Sequence, residues 1–101
     1  MLYLKSILDQ LVEPGNVNIS VPEFFNFGFD VIDAWAAEEN ITAFVSVDRT
    51  ATAIEYHSFA ELSHASNRFA NALQTLSPEK GACAIIILPR VPAWYEVVIG
   101  C

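Results

Sequence analysis

ACAIIILPRVPAWYEVVIGC, running from Ala82 to Cys101, is the stretch that decides how this chain is read. Ala82 to Leu88 is continuously apolar and rich in β-branched side chains, and Gly81 and Pro89 bracket it. A run that short and that uniformly apolar predicts a strand covered on both faces, as in a parallel sheet, in preference to a helix. Pro92 then suits a first helical position, where its lack of an N–H costs nothing. Trp94, Val97, Val98 and Cys101 follow at helical spacing, so the expected order is strand, turn, helix.

Upstream of that stretch, Ser77-Pro78-Glu79-Lys80-Gly81 is a break, and before it lies the most sharply marked element. Ser58-Phe59-Ala60-Glu61 has the form of a capping box, in which a Ser hydroxyl and a Glu carboxylate satisfy exposed N–H groups at a helix start. Leu62, Ala65, Phe69, Leu73 and Leu76 recur on one face, with Glu61, His64, Arg68 and Asn71 on the wet face. The pattern predicts a helix over Phe59 to Thr75, with His64 in a surface ion network between Glu61 and Arg68. Before it, Ile41 to Val47 and Thr52 to Tyr56 read as an antiparallel hairpin around Asp48-Arg49-Thr50, although no glycine is on hand to take positive φ.

Further back, PEFFNFGFDVIDAWAAEEN predicts a helix from about Pro22 or Phe25 to Ala37, with Phe27, Val31, Ala34 and Trp35 on one face. Asp30 and Asp33, three apart on the polar side, are expected to be solvated and not to form an acid and base pair. Leu4, Ile7, Leu8 and Leu11 mark an amphipathic helix over Leu2 to Val12. A short extended segment, Val17 to Val21, follows the Pro14-Gly15 stop.

Composition bounds the function classes. The chain has 101 residues, 53% hydrophobic and 17% charged, with a net charge of −7. Lys5, Arg49, Arg68, Lys80 and Arg90 are too few and too scattered for a nucleic-acid surface. No apolar run approaches the ~20 residues of a transmembrane helix and no secretory signal is evident, which leads to the expectation of a cytoplasmic protein. Cys83 and Cys101 are then expected to be reduced core residues, and the Asn18 and Asn40 glycosylation patterns to be chance. Neither His57 nor His64 has partners at metal-ligand spacing, and the isolated glycines at 15, 28, 81 and 100 form no phosphate loop. Trp35 and Trp94 are expected to be core anchors.

The expected fold class is α/β, but incomplete. A strand with both faces apolar needs covering layers and strand neighbours, which a half-polar hairpin cannot provide. Burial of each large apolar side chain contributes roughly 1.5 to 3 kcal/mol, so Ile85, Ile86, Ile87, Leu88 and Trp94 without partners would forfeit stability comparable to that of a whole small domain.

Three blocks carry a family resemblance: VPEFFNFGFDVIDAWA (Val21 to Ala36), YHSFAELSHASNRFANAL (Tyr56 to Leu73) and KGACAIIILPRVPAWYEVVIGC (Lys80 to Cys101). Together they resemble the N-terminal segment of the adenylate-forming acyl-CoA synthetases, with the medium-chain acid:CoA ligases nearest. The family's wording is departed from at Ala82-Cys83-Ala84, where G-D-R-V is usual, at Ala93 in place of Glu, at Tyr95, and after Asp48, where a Gly is expected.

The resemblance implies that residues 1–101 are the partial N-terminal region of an AMP-binding domain, with an antiparallel hairpin, a capped helix and the first buried strand of a parallel sheet. It implies a parent ligase that uses ATP, Mg2+ and coenzyme A to activate a carboxylic, fatty acid to an acyl-adenylate and then a thioester. The family's phosphate loop, nucleotide contacts and mobile-domain Lys match no position here. No catalytic, cofactor-binding or metal residue is therefore assigned, and the segment alone is expected to be inactive. Arg90, at the carboxyl end of the buried strand, is the residue to watch, with a structural ion pair as its expected role. The competing reading is a non-catalytic remnant or small α/β interaction module that pairs its open sheet with a partner.

Overall fold

The computed structural model describes residues 22–101. The helix over Leu2 to Val12 and the segment Val17 to Val21 lie outside the described residues. Within them, the element order is α1, β1, β2, α2, α3. Helix α1 begins as a π-helical stretch, Gly28–Asp33, and continues as one α-helical turn, Ala34–Ala36. Strands β1 (Thr42–Val47) and β2 (Ile54–Ser58) form an antiparallel pair, α2 spans Phe59–Thr75, and α3 spans Ala93–Gly100.

Helix α2 matches its sequence reading because its start is chemically closed. Ser58 Oγ accepts from the Glu61 N–H at 3.2 Å, and the Glu61 carboxylate accepts from the Ser58 N–H at 2.9 Å. Helix α1 starts later than expected. The Asn26 side chain accepts from the Phe29 N–H at 3.0 Å, while the Asn26 N–H donates to the Asp30 carboxylate at 2.7 Å. This reciprocal closure sets the helix start after Phe25 and leaves Pro22 to Phe25 non-helical. The wider π turn places consecutive residues, Val31 and Ile32, against α2, and Phe27 falls to the exposed side.

The hairpin forms with a longer loop than Asp48-Arg49-Thr50 alone. Asp48 Oδ1 accepts from the Thr52 N–H at 2.7 Å and the Ala53 N–H at 2.9 Å, so β2 cannot begin until Ile54. The register pairs Val47 with Ile54, Val45 with Tyr56 and Phe44 with His57, with an irregularity between Thr42 and Phe44. In the absence of a glycine, Ala51 takes the left-handed conformation at φ 56°.

The core is small. Among the described residues Val31, Ile32, Leu62 and Ser66 are buried, and no large side chain is fully enclosed. The crossing of α2 and α3 is tight at one point. A Cβ built on Gly100 would lie 2.6 Å from the Ser66 carbonyl oxygen and 2.9 Å from Phe69 Cδ1. Helix α3 therefore faces α2 through Gly100, while Trp94 and Val98 remain 41% and 40% exposed.

The run Ala82–Leu88 forms no strand, which corrects the central expectation drawn from the sequence. Ile85 and Ile87 are 84% and 88% exposed, and among the described residues no backbone hydrogen bond joins residues 83–88 to a neighbouring strand. A strand is defined by its partners, and the two-stranded hairpin does not reach this run. Cys83, within the same unpaired run, and Cys101, at the end of α3, are exposed free thiols and not core residues. The described fold is thus a small α/β arrangement with a hairpin and three helical elements, and it contains no parallel sheet.

Candidate functional site

One concavity is an open groove of about 610 Å³ between β1 and the segment from Leu88 to Tyr95. Phe44, Val45 and Val47 form one wall, Pro89, Val91, Trp94 and Tyr95 the other, and Arg90 and Ser46 are among its polar lining. One side is ordered by a run of rings. His57 stacks on Phe44 with centroids 4.4 Å apart, Phe44 meets Tyr95 at 4.8 Å, and Tyr95 meets Trp94 edge-on at 5.6 Å. These contacts tie the hairpin to α3 across a gap in sequence of about fifty residues, which no local pattern could have revealed.

Arg90 lines this groove and makes no ion pair among the described residues, contrary to the structural pair expected for it. The described ion pair is His57 Nε2 with Glu55 Oε2 at 3.8 Å, and the Glu61, His64, Arg68 network does not form. Glu61 is committed to the helix cap instead. Its carboxyl is held below its ordinary pKa by the Ser58 N–H and then by the Ser58 hydroxyl.

Ser46, His57 and Glu55 come together, an arrangement not evident in the sequence. Ser46 Oγ lies 2.9 Å from His57 Nε2, the same nitrogen that Glu55 approaches. A catalytic Ser, His and acid relay requires the acid on the other ring nitrogen, so that it fixes the tautomer while the first nitrogen accepts the serine proton. With both partners on Nε2 the geometry is that of a cross-strand contact, since Ser46 and Glu55 are register partners.

A second concavity, about 240 Å³, lies between α1, α2 and α3, with Asn26, Asp33, Asn67, Asn71 and Gln74 among its lining. Asp33 is not the solvated carboxylate that was expected. It is half-buried, and Oδ1 accepts from Ser63 Oγ at 2.6 Å and from Asn67 Nδ2 at 3.5 Å, bridging α1 to α2. Asp30 closes the start of α1, so the two acids have separate structural tasks. Trp35 is half-buried and stacks on Phe59 at 5.7 Å, whereas Trp94 stands partly exposed at the groove.

Neither concavity fits a nucleotide triphosphate or a resident metal ion. Among the described residues no three His, Cys, Asp or Glu side chains converge. Gly28 and Gly100 are occupied by helix contacts, and Gly81 stands alone, so their N–H groups offer no continuous cradle for phosphates.

No protein-family profile matches the chain, and no solved structure matches it. Curated proteins do. Over 90 residues, 82% of this chain, it is 37% identical to the mitochondrial acyl-coenzyme A synthetase ACSM3 of Homo sapiens and equally to that of Pongo abelii. It is 33% identical over 94 residues, 80% of the chain, to the mitochondrial acyl-coenzyme A synthetase ACSM5 of Rattus norvegicus. The chain spans about 15% of the length of each of these relatives. Their names overturn the cytoplasmic expectation, because each is described as mitochondrial. The lack of a secretory pattern and of an apolar span does not separate cytosol from mitochondrion. Among the described residues no helix is long and apolar enough to cross a membrane.

Proposed function

We infer, from a chain that belongs to the acyl-coenzyme A synthetases over most of its length, that it is a scaffold segment of a mitochondrial acid:CoA ligase. The observation that carries this is the 37% identity across 82% of the chain. In the parent enzyme a carboxylic acid, of the fatty acid class, is activated with ATP and Mg2+ and joined to coenzyme A through an acyl-adenylate. The segment supplies structure to the larger adenylate-forming domain and holds neither nucleotide nor metal. Its polar groups support that role, because Asp33, Asp48, Glu61 and Ser58 are all consumed in one helix contact, one loop and one helix cap. No step of the reaction is assigned to its residues, and the isolated segment is proposed to be inactive.

The test is a chimera in which this chain replaces the matched segment of the human relative. ATP and pyrophosphate exchange, measured across a panel of carboxylic acids, is expected at a rate within about tenfold of the parent's, because a supporting segment with preserved packing perturbs the site only indirectly. The isolated chain is expected to give no exchange. Exchange by the isolated chain, or a folded chimera with none, would remove this reading.

A further inference from the structure

We draw no further inference here: the strongest candidate, the open apolar groove between β1 and the segment from Leu88 to Tyr95 with Arg90 and Ser46 in its lining, carries none, because the chain spans about 15% of its relatives' length and nothing in the structure shows what covers that face.

Discussion

Asp48 closes the hairpin with its side chain where a glycine turn would close it with its backbone. Its carboxyl is driven well below the ordinary carboxylate range, first by the Thr50 hydroxyl and then by the Ala53 N–H, with Thr52 adding both backbone and side-chain donors against a partial loss of hydration. The folded value thus lies below the unfolded one, so this group's contribution to stability is complete above pH about 4 to 5 and is lost as pH falls through the folded value. Carboxyl NMR titration should place the Asp48 midpoint clearly below 3.8. In Asp48→Asn the acid-side loss of hairpin amide protection should shrink. An Asp48 that titrates at the ordinary value would show that the loop network does not persist in solution.

Helices are decided by their ends and by a few contact points. The Ser58 and Glu61 box was legible because both residues lie within one turn, and the helix it starts runs over the residues that the apolar pattern marked. The buried stripe differs in detail, with Ser66 enclosed and Leu76 in solvent. Gly100 brings α3 onto the α2 backbone beside Ser66, so position 100 has no room for a side chain. Gly100→Ala is expected to force the two helices apart, since the Ser66 carbonyl is backbone and cannot move aside. The cost should be about 1 to 3 kcal/mol, read as a lower denaturant midpoint or reduced protection of α3 amides. A neutral Gly100→Ala would mean that the crossing is looser than the geometry here.

For the molecule as a whole, exposure dominates. Four phenylalanines near the start of α1, Phe24, Phe25, Phe27 and Phe29, stand at least 48% exposed, in addition to the hairpin face and the isoleucines of the final run. The isolated chain is expected to enhance the fluorescence of a hydrophobic dye and to be cut rapidly by protease between Gly81 and Pro92. Ile85→Lys with Ile87→Lys should lower the dye signal substantially, and its effect on stability should stay within about 0.5 kcal/mol because those side chains touch little in the free chain. A sharp cooperative unfolding transition without dye binding would contradict this picture of an unfinished core.

The amino-acid sequence by itself determined the local events: the cap at Ser58, the helix after it, the hairpin, the helix after Pro92, and the family to which the wording belongs. These depend on groups a few residues apart, whose hydrogen bonds or spacing can be read along the chain. Only the tertiary structure decided that residues 83–88 pair with no strand among the described residues, that Asp33 bridges two helices, that Ser46 and His57 meet, and that Gly100 sets a helix crossing. Each of those depends on partners remote in sequence, and an apolar run becomes a strand only where hydrogen-bonding neighbours are present to receive it.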